Sequence, residues 1–292
     1  MKGVGVKPGK FEYHAPTTVG EAAALLKEHA DDCKVIAGGQ SLVPMMSLRL
    51  ASPSHLIDLN RIGGLDTIGV HDGQLRIGAM VRQSVAEHDA LIASNVPLVA
   101  KAIPHIGHFQ IRNRGTIGGS IAHADPASEL PAVALALDAV IEAEGPAGRR
   151  EIAARDFFVS TWATTLSDDE ILTGIRFPVW SGKCGFACEE VARRHGDFAL
   201  VGAVVGVSIT DQRVDRAAIA LFGVGTTPVR ASAAEEALIR DGVSADLALI
   251  GRTAADPLSP TGDLHASAAY RKQVAATVVR RALTNALEEA RS

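Results

Sequence analysis

The sequence predicts an α+β chain of at least two domains, on three observations. Short apolar, strand-like runs alternate with helix-start signals through the first 180 residues. Beyond Ser181 the pattern changes to three long strand-like runs followed by helices. Between these halves lies Pro178-Val-Trp-Ser-Gly182, a natural boundary. A chain of 292 residues is long enough for two or three domains.

In chain order, Thr18-Val-Gly-Glu21 has capping-box spacing, and the helix it starts carries Ala22, Leu25 and Leu26 on one face. Lys34 to Ala37 reads as a short buried strand that stops at Gly38-Gly39, and Leu42 to Leu50 as a second helix stopped by Ser52-Pro53-Ser54. A new unit starts near His55. In it, Asp66–Val70 and Gln74–Ala79 form a hairpin through His71-Asp72-Gly73, because Asp-Gly suits the tight hairpin turn. Ser84-Val-Ala-Glu87 offers another capping box, and Pro97 to Ile106 reads as helix. A glycine-rich turn at Gly115–Gly119 precedes the apolar stretch Leu130–Ala143, a helix running into a buried strand. In the last third, Phe186–Arg193, Phe198–Ile209 and Ala217–Val224 read as three antiparallel strands. Helices follow near Ser232–Arg240, Ala245–Ala254 and Ser267–Ala290, the last carrying Tyr270, Val274, Val278 and Leu287 at near-helical spacing. The expected domains are therefore 1–54, 55–180 and 181–292.

Composition excludes several functions. A net charge of −4 and 4% aromatic residues argue against a nucleic-acid surface. No apolar run approaches a membrane span of about 20 residues, and Met1 to Lys10 lacks an apolar signal core. Cys33, Cys184 and Cys188 cannot build a disulfide framework and suit a reducing, cytoplasmic setting. Nor do they supply the four thiolates of an iron–sulfur cluster or a zinc site. His105 and His108 have no carboxylate partner at hydrolase spacing and read as packing or solvent-facing histidines. Arg193-Arg-His-Gly-Asp197 reads as an ion-paired turn, and there is no nucleophile elbow.

Two segments concentrate chemistry. In Lys34-Val-Ile-Ala-Gly-Gly-Gln-Ser-Leu42 a strand feeds a double glycine and then a helix, which lets backbone amides approach an anion closely, with Gln40 and Ser41 as further donors. A plain tight turn is the alternative reading. In Arg112-Asn-Arg-Gly-Thr-Ile-Gly-Gly-Ser-Ile-Ala-His-Ala-Asp-Pro-Ala-Ser-Glu-Leu-Pro131, polar groups including Thr116, Ser120, His123, Asp125, Ser128 and Glu129 crowd between apolar runs. Such density serves either a ligand or a satisfied buried loop.

Ala37-Gly-Gly-Gln-Ser-Leu-Val-Pro-Met-Met46, Arg112-Asn-Arg-Gly-Thr-Ile-Gly-Gly119, Ala124-Asp-Pro-Ala-Ser-Glu-Leu-Pro131 and Arg193-Arg-His-Gly-Asp-Phe-Ala-Leu-Val201 occur in the order that marks one family. The chain resembles the FAD-binding medium subunit of molybdenum hydroxylases, the group of carbon monoxide dehydrogenase and xanthine dehydrogenase. The resemblance implies a two-subdomain FAD-binding domain of the vanillyl-alcohol-oxidase (PCMH) type and a C-terminal domain with a three-stranded antiparallel sheet and helices. By the same resemblance Lys34, Val35, Ile36, Ala37, Gly38, Gly39, Gln40, Ser41 and Leu42 would hold the FAD pyrophosphate. Thr116, Ile117, Gly118, Gly119 and Ser120 would wrap its other side, with His123 close by. Glu129 would stand near the isoalloxazine, and Ile106 and Leu172 would pack on the cofactor.

FAD would be bound non-covalently, with molybdopterin and [2Fe–2S] clusters in a large and a small partner subunit, in a dimer of heterotrimers. The implied role is electron transfer through FAD to an external acceptor, with no catalytic side chain. The chain departs from relatives at Gln40, often His, and at Glu189 and Glu190, one of which is often Lys. A self-sufficient flavin oxidase and a flavin-free scaffold subunit remain as alternatives. Valine at Gly38 or Gly118 is expected to block the phosphates and prevent FAD binding.

Overall fold

The computed structural model describes residues 7–292, so most of the segment Met1–Lys10 lies outside the described residues. The first unit is a parallel sheet of β1 (Glu12–His14), β3 (His55–Asp58) and β2 (Cys33–Ile36), with β3 in the middle, covered by α1 (Val19–His29). β3 therefore belongs to this sheet, and the unit runs past the division expected after residue 54. Thr18 caps α1 by accepting from the Glu21 amide at 3.1 Å. The Glu21 carboxylate turns back to the Thr17 amide at 2.8 Å rather than to Thr18. α1 lays Ala22, Ala23 and Leu26 against Ile57 and Leu59 in a small separate core. α2 spans only Leu42–Ser47; Leu48 and Leu50 amides close on the carbonyls of Pro44 and Met45, and Arg49 takes φ +59°, which ends the helix before Leu50.

The second unit is an antiparallel five-stranded sheet, ordered β4 (Ile68–His71), β5 (Gln74–Gly78), β10 (Ile171–Pro178), β6 (Val140–Gly145) and β7 (Gly148–Ala153). The β4–β5 turn has Asp72 at φ +50° and Gly73 at φ +71°, as its sequence predicts. The same unit contains α3 (Gln83–His88), α4 (Ala90–Asn95), α5 (Pro97–Ala102), α6 (Phe109–Arg112), α7 (Ile117–His123) and α8 (Glu129–Ala136). α3 begins one residue before the expected capping box and has no side-chain cap. Its Glu87 is drawn instead to Arg112, with Nε and Oε2 2.8 Å apart. The stretch after Leu130 is a helix running into a buried strand, α8 then β6, as read from sequence. Beyond β7 come the single turn α9 (Ala154–Phe157) and the small pair β8 (Phe158–Ser160) and β9 (Ala163–Thr164).

The last unit holds β11 (Lys183–Ala192), β12 (Ala199–Thr210) and β13 (Arg213–Phe222), antiparallel as expected. A two-residue strand, β14 (Val229–Arg230), adds a fourth member too short to show a pattern. α10 (Ser232–Asp241), α11 (Leu247–Ala255) and α12 (Ala268–Arg291) cover one face. Strand side chains alternate, so Val205, Val207, Ile219 and Leu221 meet these helices. Val204, Ala218, Ala220 and Phe222 face the second unit instead and share its core. Burial on both faces is why these strands read as nearly unbroken apolar runs. The seam is pinned by Lys101 of α5, whose Nζ donates to the Phe186 carbonyl at 2.8 Å and to Glu289 of α12 at 2.7 Å.

Candidate cofactor site

β2 and β3 are parallel, so their carboxyl ends open side by side, where ligands bind in open α/β sheets. From β2 the chain reaches α2 through Ala37 to Ser41, and Gly39 has φ +74°, a conformation glycine adopts without strain. Among the described residues, the amides of Gly38, Gly39, Gln40 and Ser41 donate to no protein acceptor. Consecutive free N–H groups in a turn make a concave seat for an anion. They border a cleft of about 400 Å³ lined by Ile36 to Gln40, Val43 and Pro44 on one side and by Asp58, Asn60 and Arg114 on the other.

The far wall is itself hydrogen-bonded together. Asn60 donates to the Ala37 carbonyl at 2.9 Å, and its own amide is held by Asp58 at 2.8 Å. Arg82 donates to the Asn60 side chain and to the Arg114 carbonyl, which joins the second unit to the first. Burial raises the Asp58 carboxyl, but hydrogen bonds from Tyr13 and Asn60 outweigh it and hold the group below its ordinary value. It therefore remains a charged acceptor that fixes Asn60.

Thr116–Ser120 is the start of α7 rather than a turn. Its amides are occupied: Ile117 donates to Val81 at 3.0 Å, Gly118 to Ala79 at 2.9 Å, and Gly119 to the Thr116 hydroxyl at 3.0 Å. The glycines here serve close packing. A Cβ on Gly118 would lie 2.5 Å from the Ala79 Cβ, and one on Gly38 would lie 2.3 Å from the Arg114 carbonyl oxygen. Each would strike protein atoms first, so valine at either position would push neighbouring segments apart. The two segments do meet: Gly38 touches Arg114 and Gly115, and Gly119 lies beside Ala37.

The other expected site residues are distributed as follows. Lys34 is exposed on β2, while Val35, Ile36, Ser41 and Leu42 are half-buried beside the turn. Ser120 keeps a half-buried hydroxyl near the meeting point. His123 ends α7, with its ring stacked 6.0 Å from that of Trp162; burial lowers its pKa against the opposing charge of Asp125. Leu172 lies in the second core, 5% exposed. Ile106 is half-buried against that core, and its carbonyl accepts from Arg112 at 3.2 Å.

Glu129 opens α8 and is 4% exposed. Burial pushes its carboxyl up to about 8, with the nearby Glu190 charge adding to the shift. Glu190, on β11, meets the His105 Nδ1 at 3.5 Å, and its second carboxylate oxygen is buried with no partner among the described residues. That contact with Glu190 raises the His105 pKa over the opposing effect of burial. His105, read from sequence as a packing or solvent-facing histidine, is thus paired with an acid at the seam of two units. Asp58, Asn60, Arg82 and Arg114 were absent from the expected site. Asp58-Leu-Asn60 directly after an apolar run was an available signal, since polar residues at the end of a parallel strand face the crevice.

A family described as the FAD binding domain in molybdopterin dehydrogenase matches residues 9–180, and one described as the CO dehydrogenase flavoprotein C-terminal domain matches residues 186–286. The chain belongs to the FAD-binding medium subunits of the molybdenum hydroxylases. It is 41% identical to the 6-hydroxypseudooxynicotine dehydrogenase complex subunit alpha of Paenarthrobacter nicotinovorans, covering 98% of this chain and 97% of that protein. It is 39% identical to the caffeine dehydrogenase subunit beta of Pseudomonas sp. strain CBB1, covering 97% of each. The structure of carbon monoxide dehydrogenase from Hydrogenophaga pseudoflava superposes with a TM-score of 0.93 at 40% identity, over 97% of this chain and 99% of that one. These relatives are subunits of dehydrogenases, and the fold is that of their medium chains. Among the described residues, no helix is long and apolar enough to cross a membrane.

Free amides at the first turn, a neighbouring arginine and an open cleft suit the phosphates of FAD. At the second segment the amides are occupied, and Thr116 is buried with its hydroxyl accepting from the Gly119 amide, so this segment offers no run of free amides.

Proposed function

We propose that this chain is the FAD-carrying electron-transfer subunit of a heteromeric molybdenum hydroxylase, set between [2Fe–2S] clusters of a partner subunit and an external acceptor. The observation that carries this reading is the run of free amides from Gly38 to Ser41 at the cleft, within a domain of the matching family. FAD accepts electrons singly or in pairs, which suits it to link one-electron clusters to two-electron acceptors. The chain's own residues bind and orient: the first turn holds the phosphates through N–H groups, and Asp58, Asn60 and Arg82 hold the turn in place. Glu129 holds a proton in the buried seam, where the contact with Glu190 favours the charged form of His105.

Binding is non-covalent. The substrate site belongs to the molybdopterin-bearing large subunit, a reading supported by relatives of near-equal identity whose names give unlike substrates. The complete enzyme is a dimer of heterotrimers, and free thiols at Cys33, Cys184 and Cys188 suit the cytoplasm.

The test is an absorption spectrum of the chain purified with its partner subunits, before and after substrate. Flavin and iron–sulfur bands that bleach together support the role, with all flavin released by acid. Flavin reduced by substrate without partners would make the protein an oxidase. A colourless chain that still assembles would make it a scaffold.

A further inference from the structure

His14 closes β1, His29 ends α1 and His55 opens β3, so three separate elements bring imidazoles to one point away from the cofactor cleft. The rings are stacked. His29 and His55 lie 3.7 Å apart and 7° from parallel, and the His14 centroid is 5.1 Å and 5.3 Å from theirs. All three are half-buried, and one nitrogen from each lies within 4.8 Å of the other two. His14 Nε2 and His55 Nδ1 are 3.0 Å apart, and the Glu12 carboxylate stands 3.8 Å from the same His55 nitrogen. Among the described residues the His29 ring makes no hydrogen bond.

The spacing approaches that of a coordination shell. With metal–nitrogen bonds of about 2.0–2.1 Å, two ligands of a tetrahedral ion stand roughly 3.3 Å apart. Imidazole is also a preferred ligand for zinc-type ions. We propose that His14, His29 and His55 form a binding site for a divalent zinc-type ion, with the Glu12 carboxylate or water as fourth ligand.

The stack is then the metal-free arrangement. An imidazole lone pair lies in the plane of its ring, so parallel rings cannot both aim at one ion, and binding turns His29 edge-on to its neighbours. The ion would tie β1, α1 and β3 together and brace the sheet whose β2 and β3 ends build the cleft.

The chain, free of any affinity tag and stripped with a chelator, is titrated with Zn²⁺ and Co²⁺. The expected result is one saturable equivalent, a tetrahedral cobalt spectrum and a raised Tm. Combined His14→Ala and His55→Ala substitution should weaken binding by more than the roughly 10–100-fold that loss of an outer partner costs. His71→Ala and His88→Ala should leave it unchanged. If the double variant misfolds, imidazole proton–nitrogen NMR of the unaltered chain decides: Zn²⁺ must shift the resonances of His14, His29 and His55. Absence of saturable binding, equal affinity in a folded double variant, or shifts confined to other histidines would overturn the site.

Discussion

Ala37–Ser41 and Thr116–Ser120 each place two consecutive glycines at the approach to a helix or in its first turn, and as sequence they look like the same device. In the fold they differ in what their backbones are free to do. Among the described residues the amides from Gly38 to Ser41 meet no protein acceptor, and Gly38 to Gln40 line the cleft, whereas the amides of Ile117, Gly118 and Gly119 are bound to Val81, Ala79 and Thr116. The first segment leaves its amides open to a ligand. The second is a buttress, with Gly118 thinned to a single hydrogen so that α7 can lie against Ala79. A glycine pair thus reports a close approach of backbone, and only the hydrogen-bond inventory says whether the approaching group is a ligand or the protein itself.

Substitutions can break this comparison, starting with the largest effect. Gly118→Val drives a branched side chain into Ala79 and should destabilise the fold by on the order of 3 kcal/mol, through overpacking. Chemical denaturation would detect this even in protein stripped of flavin. An effect seen only when flavin is present would mean that Gly118 faces the ligand.

Next comes the acid that follows the second segment. Glu129, pushed up to about 8 by burial, keeps a proton in the folded chain that an ordinary glutamate loses near 4.5. Between those values the unfolded chain holds fewer protons than the folded one, so stability falls as pH rises and levels off above about 8. The raised His105 pKa acts in the same direction, since its stabilisation fades as pH climbs through the folded value. Glu129→Gln should flatten the slope and add up to a few kcal/mol near pH 8, as read from denaturation midpoints across pH. An unchanged slope would show that the carboxyl ionises normally.

Smaller effects sharpen the contrast. Gln40→Pro deletes one free N–H from the first turn. A hydrogen bond to a charged group is worth about 1.5–3 kcal/mol, so FAD affinity should fall tenfold or more while the flavin-free Tm barely moves. Thr116→Val removes the cap that holds the Gly119 amide and should lower fold stability by about 1 kcal/mol.

Much of this was legible in the sequence, for local reasons. Asp72-Gly73 specified its hairpin, Thr18 its helix start, and the strand-like runs of β11 to β13 an antiparallel sheet. What escaped depended on distant partners. Glu87 reads as half of a capping box until Arg112 comes within reach. β3 reads as the start of a new unit until it pairs between β1 and β2. His105 reads as bland packing until β11 brings Glu190 to its ring. The far wall of the cleft, Asp58, Asn60 and Arg114 bridged by Arg82, is assembled across two units and has no single local signature.

The most direct test of the account is FAD affinity measured on Gln40→Pro and Thr116→Val side by side, by flavin fluorescence on reconstituting the stripped chain. The proline variant should lose at least tenfold in affinity with its stability intact, while the valine variant should lose stability and keep its affinity within about threefold, roughly 0.6 kcal/mol. Equal affinity in Gln40→Pro and the unaltered chain, or a loss confined to Thr116→Val, would move the phosphate seat to the second segment and contradict it.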